Sequence, residues 1–297
     1  MSTTVWRDLT QAQLDWAYDQ TQHATNMTEV MAECAALSAQ ARAQLQARGA
    51  EVQRLAYGPT DIEKLDWYAS PKTNAPLVFF VHGGAWRRGQ AQDYAMAAAW
   101  LHELGAHLVV PDFSAVTEVQ GNLLTLFDQL QRALTFAAQT ALSLGANPQR
   151  IFVVGHSSGA HLAACLGAYN WRGQGMTASP VHALVCCSGM YELEPVSLSA
   201  RSQYVRFNPK TLEDLSPQRH LQHLKMPTAL LCGEQESPEF KRQALEFSQS
   251  LLDKHADLHF SWGQGLNHFE MLQSFASPDG VMSKALLHLM QELKWEY

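Results

Sequence analysis

Gly155-His156-Ser157-Ser158-Gly159 has the form G-x-S-x-G. It directly follows the apolar run Ile151-Phe152-Val153-Val154 and directly precedes Ala160-His161-Leu162-Ala163-Ala164, a good helix former. That is the strand–turn–helix setting in which a serine is presented on a sharp elbow as a nucleophile. The glycines are needed because a Cβ would clash where the turn brings backbones together. The start of the following helix favours developing negative charge. An ordinary Gly/Ser turn between strand and helix is the plainer alternative, and the further residues below argue against it.

A serine that attacks a carbonyl creates an oxyanion, which needs preorganised N–H donors. His82-Gly83-Gly84-Ala85-Trp86 closes an earlier apolar strand, where such a loop belongs. Gly83 and Gly84, with the N–H of Ser158, are the candidate donors. His82 is expected to brace this loop by hydrogen bonding. Trp86 is expected to wall a substrate pocket, with plain core as its alternative.

The base must be a histidine, and the chain has 13. On an elbow of this kind the acid and then the histidine follow the serine in chain order. His268, in Gly265-Leu266-Asn267-His268-Phe269, lies between the last predicted strand and the terminal helix. His255, His259 and His288 fall on a helix end, a strand and a helix. His156 and His161 flank the serine and read as structural, although His156, Tyr191 and Phe269 are also placed to touch substrate. The acid should follow the strand Thr228–Cys232, where Glu234, Glu236 and Glu239 compete. Glu239 reads as a first-turn helix charge. Glu236, at the loop tip, is the first choice and Glu234 the second. Such an acid fixes the imidazole tautomer and stabilises the imidazolium.

These residues need a frame that brings residues 83, 157, 236 and 268 together. Residues Leu9 to about Gln46 predict a helical arm without Pro or Gly, with Leu14 and Tyr18 one turn apart. Val52–Tyr57 and Lys64–Tyr68 predict a hairpin around Gly58-Pro59-Thr60-Asp61. Pro76–His82 is a largely unbroken apolar run, the mark of a strand covered on both faces. Helix then alternates with strand: a helix over Tyr94–Leu104, the strand His107–Val110, and a long helix from Leu123 to Leu144 closed by Gly145. The strands Ile151–Val154, Ala183–Cys187, Thr228–Cys232 and Leu258–Trp262 follow, with helices after Ser157, over Glu239–Leu252 and from Met282 to Trp295. The alternation predicts a mostly parallel, doubly wound sheet with helices on both faces. The reading is a single domain over 1–297, with 1–50 as arm and 191–224 as a cap segment over the site.

Composition narrows the function classes. Across 297 residues the formal net charge is -7 and no basic stripe is present, so nucleic acid is not an expected partner. No apolar run is long enough to span a membrane. The first ten residues lack a basic stretch followed by an apolar core, so no signal peptide and a cytoplasmic location are expected. The 5 cysteines have no CxxC spacing, so neither a disulfide framework nor a metal site is expected. The chemistry proposed needs no cofactor. The partner is a small-molecule substrate, and a homodimer is left open.

At these residues the chain resembles the bacterial kynurenine formamidase (arylformamidase) branch of the α/β-hydrolases, which is related to carboxylesterases. The branch carries H-G-G-x-W, G-H-S-x-G-x-H-L, an acid loop of the form G-E-x-[DE]-x-x-E-F-x-x-Q and a final N-H-F. Here these are His82–Trp86, Gly155–Leu162, Gly233–Gln243 and Asn267–Phe269. The resemblance implies an α/β-hydrolase fold, favours Glu236 as the acid, and implies hydrolysis of N-formyl-L-kynurenine to kynurenine and formate. A carboxylesterase for short-chain aryl esters is the alternative within enzymes, and a non-catalytic binding protein of the same fold is the alternative outside them.

Overall fold

The computed structural model describes residues 3–174, 176–254 and 257–294. The apolar runs do what uninterrupted runs dictate. β5 (Ala75–Val81), β6 (His107–Pro111), β7 (Ala146–His156), β8 (Ala183–Cys187) and β9 (Thr228–Gly233) lie at the centre of an eight-stranded sheet. The order is β10-β9-β8-β7-β5-β6-β4-β3, with β10 (Leu258–Gly263) at one edge. At the other edge the hairpin β3 (Gln53–Ala56) and β4 (Lys64–Tyr68) runs antiparallel, and the rest of the sheet is parallel.

Side chains on β5 alternate between the sheet's two faces. Leu77, Phe79 and Val81 join one core, which takes in α4 (Leu123–Thr140), α5 (Ser158–Ala168) and α8 (Pro238–Asp253). Val78 and Phe80 join the other, with α2 (Met27–Ala47), α3 (Ala98–Leu104), α9 (His268–Gln273) and α10 (Val281–Glu292). Helices on both faces leave the strand ends as the place where loops can meet, which is where such sheets bind ligands.

The N-terminal arm departs from the expected single helix. A small hairpin, β1 (Thr4–Trp6) with β2 (Leu9–Thr10), precedes α1 (Gln11–Ala17), and a short 3-10 turn at Gln20–His23 separates α1 from α2. Capping chemistry sets the breaks. Thr10 and Gln13 form a capping box at α1, and the Asp19 carboxylate caps the 3-10 turn through the Thr21 N–H. The arm is anchored: Leu14 is 0% and Tyr18 2% exposed. Tyr18 donates its hydroxyl to Glu239 (2.9 Å) and accepts from Gln243 Nε2 (2.7 Å).

Two other expected helices are shorter than read. Ala91–Tyr94 is a separate 3-10 turn ahead of α3, and α4 stops at Thr140. A second 3-10 turn and Gly145, in the left-handed region at φ 83°, close the chain into β7. The expected endpoint Trp295 and His255 lie outside the described residues. Segment 191–224 forms short helices, including α6 (Glu194–Ser197) and α7 (Pro209–Asp214). Its 3-10 turns at Pro217–Arg219 and Leu221–His223 pack on α5, and the Leu215 carbonyl accepts from His161 Nε2 (2.7 Å). Among the described residues no helix is long and apolar enough to cross a membrane.

Candidate active site

The end of β7 is built for a forced turn. Ser157 sits at φ 57°, ψ -127°, a backbone state costly for a residue with a side chain. A Cβ at Gly155 would come within 2.5 Å of the Gly159 carbonyl, and one at Gly159 within 2.1 Å of the Val81 carbonyl. Both glycines of the motif are therefore steric requirements. The turn is held by the Ser157 N–H, which donates to the Cys187 carbonyl on β8 (2.9 Å), and by α5 starting at once. Such local strain, fixed by surrounding packing, is typical of functional positions.

Loops from separate strand ends meet at this serine. Ser157 Oγ is 2.8 Å from Nε2 of His268, the first residue of α9. His268 Nδ1 is 2.8 Å from Oε2 of Glu236, in the loop after β9. With Nδ1–H donated to the carboxylate, Nε2 is left as the acceptor for the serine hydroxyl. Glu236 Oε1 accepts from the Gly233 N–H (2.7 Å) and from the Ser188 hydroxyl. Burial works against the charge on Glu236. His268, Ser188 and Gly233 outweigh it and hold the carboxyl below the usual carboxylate range.

The competing acids are engaged elsewhere. Glu234 accepts from the Gly265 N–H (2.9 Å) on an exposed loop. Glu239 pairs with Arg242 (2.7 Å) and Tyr18. Ser188, which supports the acid, went unnoticed in the sequence. Its only signal there is its place at the end of β8.

The glycine loop after β5 lies beside Ser157. A Cβ at Gly83 would sit 3.1 Å from the Ser157 Cβ, and one at Gly84 (φ 110°) would sit 2.1 Å from the Arg88 carbonyl. Gly83 and Gly84 both border the cavity over Ser157. Ala85 and Trp86 continue the turn at φ 55° and 60°. Ser158 opens α5, and its Oγ accepts from the Trp86 N–H (3.2 Å). His82 braces the loop: its Nδ1–H donates to the Gly83 carbonyl (2.9 Å), and its ring is sandwiched between Phe113 (4.3 Å) and Tyr94 (4.9 Å). Burial lowers the pKa of this imidazole.

The cavity above Ser157 measures about 940 Å³. His156 and Phe269 line it. His156 donates Nε2–H to the His268 carbonyl (2.8 Å), and burial, then the neighbouring His268, push its pKa down to about 3. Trp86 and Tyr191 are corrections, because neither borders the cavity. Trp86 is 2% exposed, and its Nε1–H turns inward to His161 Nδ1 (3.3 Å). Tyr191 is 1% exposed, stacks on Phe247 at 4.2 Å and takes the Gly189 N–H on its hydroxyl. Their polar atoms found partners in the core, which the sequence could not reveal.

The sequence reading also missed most of the wall. Much of it comes from the arm, between Asp15 and Ala35, and from Ser199–Tyr204, among the described residues the one stretch of the expected cap that faces the cavity. Among the described residues no cluster of His, Cys, Asp or Glu is placed to hold a metal ion.

Comparison with known proteins fits this arrangement. The BD-FAE family matches residues 65–251. The kynurenine formamidase of Danio rerio is 25% identical over 241 residues, covering 79% of this chain and 80% of its own. A Silicibacter sp. protein provisionally named a thioesterase superposes with a TM-score of 0.78 at 22% identity, covering 93% of this chain and 99% of that one. Esterase B of Lactobacillus rhamnosis superposes with a TM-score of 0.71 at 16% identity, covering 90% and 96%. At these identities the two structures establish the α/β-hydrolase fold.

Proposed function

The chain belongs to the BD-FAE family, and from that premise we propose that it is a serine hydrolase that cleaves an aryl formamide. N-formyl-L-kynurenine, giving kynurenine and formate, is the preferred substrate in this reading. The observation that carries it is the unbroken hydrogen-bonded chain Ser157–His268–Glu236, with both links at 2.8 Å. The similarity to a kynurenine formamidase over most of both chains supports the choice of formamide.

Each residue has a chemical task. His268 Nε2 takes the Ser157 proton as Oγ attacks the formyl carbon. Glu236, held ionised by its donors, keeps the imidazole in the required tautomer and stabilises the imidazolium. N–H groups of Gly83, Gly84 and Ser158 receive the oxyanion. The imidazolium then returns its proton to the departing arylamine. Water, activated by His268 in the same way, releases formate and restores Ser157.

Esterase structures of the same fold support a second reading, hydrolysis of short-chain aryl esters. Comparing kcat/KM for N-formyl-L-kynurenine and 4-nitrophenyl acetate on one preparation separates the two. The formamidase reading expects efficient deformylation. A large preference for the ester with negligible deformylation would overturn it.

A further inference from the structure

The charged groups around the cavity are not balanced in what they are bonded to. Asp15, Asp19 and Asp93 supply its carboxylates, and Arg87, Arg88 and Arg201 its guanidinium groups. Two of the acids are already satisfied by the protein. Asp15 accepts from the Ala200 N–H (2.6 Å) and Gln11, and Asp19 accepts from Thr21 and Gln22.

The arginines are in the opposite condition. Among the described residues none of the three has a carboxylate within 4.0 Å. Arg87 and Arg88 are exposed, where an unpaired guanidinium is ordinary, but Arg201 is half-buried. Its group is nevertheless locked in place. Nη2 donates to the Tyr18 carbonyl (2.8 Å), Nη1 to the Tyr204 hydroxyl (3.1 Å), and the guanidinium lies 5.5 Å from the Trp86 ring centroid. Its Nε is buried with no hydrogen-bond partner. Arg87 stacks on Tyr204 at 4.0 Å, so one tyrosine holds two cations along the same wall.

Withdrawing a cation from water without a counter-charge is costly. A guanidinium fixed in advance is the group best matched to a carboxylate, because its planar fork donates to both oxygens. The hydrogen bonds and the ring contact of Arg201 are all to neutral groups; Asp19 acts on it only through charge, its carboxylate being bonded to Thr21 and Gln22, so among the described residues no carboxylate is hydrogen-bonded to this guanidinium. We propose that Arg201, with Arg87 beside it, anchors a carboxylate on the substrate. The enzyme then selects acyl-aryl compounds that carry an acidic group away from the bond being cut. This rests on the hydrolase reading above and adds to it the residue that holds the far end of the substrate.

The test compares N-formyl-L-kynurenine with its methyl ester, which removes the negative charge and adds one methyl group. Wild type should show a KM at least about tenfold higher for the methyl ester, with kcat within about threefold, because the anchor acts in binding. In Arg201→Gln the acid-to-ester ratio of kcat/KM should fall towards one, and Arg201→Lys should retain part of it. Equal kcat/KM for the two compounds in wild type, or a ratio unchanged in Arg201→Gln, would overturn the anchor. The wild-type pair decides alone should the Gln variant fail to fold. If wild type deformylates neither compound yet cleaves 4-nitrophenyl acetate, the formamidase reading fails first. The anchor is then judged on 4-acetoxyphenylacetate against its methyl ester, where the same preference for the acid is expected and indifference overturns it.

Discussion

The floor and the roof of the cavity are built on different principles. The floor consists of Ser157, His268, Glu236 and the glycine loop, each leaving or following a strand of one sheet. Their positions are fixed by main-chain hydrogen bonds and by glycines that admit no substitute. The roof comes from α1, the 3-10 turn, the start of α2 and Ser199–Tyr204, stretches distant in sequence. It is fixed by side chains: Leu14 in the core, Tyr18 between Glu239 and Gln243, and Arg201 on the Tyr18 carbonyl. A sheet edge can hold atoms to the tolerance that bond-making requires. A side-chain-pinned roof can change its chemistry without disturbing the floor. The difference assigns reaction type to one region and substrate choice to the other.

Variants can break this division. The largest effect is expected at Ser157→Ala, which should lower kcat by at least about three decades with little change in Tm. Glu236→Gln should follow, at about two to four decades in kcat, because an amide can present the wrong partner to His268 Nδ1. A steady-state assay on either substrate, with a melting curve for each variant, checks both. A roof variant should behave differently. Leu14→Ala removes a fully buried side chain and should cost about 2–5 kcal/mol in stability. Its activity loss should lie mainly in KM for the larger substrate. A collapse of kcat on 4-nitrophenyl acetate in folded Leu14→Ala would show that the arm helps set the floor.

The last expected effect is on pH, and it falls on stability, not on turnover. His107, His156 and His161 have folded pKa values lowered to about 4, 3 and 4, in each case chiefly by burial. Between those values and about 6.5 the unfolded chain binds more protons, so stability rises with pH and is lost as pH falls. Each histidine contributes up to about 1.4 kcal/mol per pH unit in that window. Urea midpoints between pH 4.5 and 6.5 measure the slope, and His161→Gln should flatten it by one histidine's share. A flat profile in wild type would mean that these rings are not held neutral.

The two regions also differed in how far the sequence revealed them. Ser157, His268 and the glycine loop were legible because a strained elbow and a close backbone approach restrict residue types at fixed spacing. Glu236 was one of three glutamates until the loop geometry placed it on His268 and sent Glu234 to Gly265 and Glu239 to Arg242. The parallel strands were legible from their unbroken apolar runs. The arm read as one helix because Gln, Ala and Leu propensities hid the caps at Thr10 and Asp19. Trp86 and Tyr191 were misplaced because an aromatic near a motif looks the same whether it faces ligand or core. Arg201 could not be read at all, since what sets it apart is that the groups it bonds to are neutral.

The central claim is that Ser157, activated by His268 and Glu236, is the nucleophile. The direct measurement is labelling of the intact protein with a fluorophosphonate, followed by peptide mass spectrometry. The account predicts one adduct, on Ser157, in wild type and none at that position in Ser157→Ala. It also predicts labelling slowed by at least about a hundredfold in Glu236→Gln. An unlabelled wild type, or equal labelling of Ser157→Ala, would contradict it.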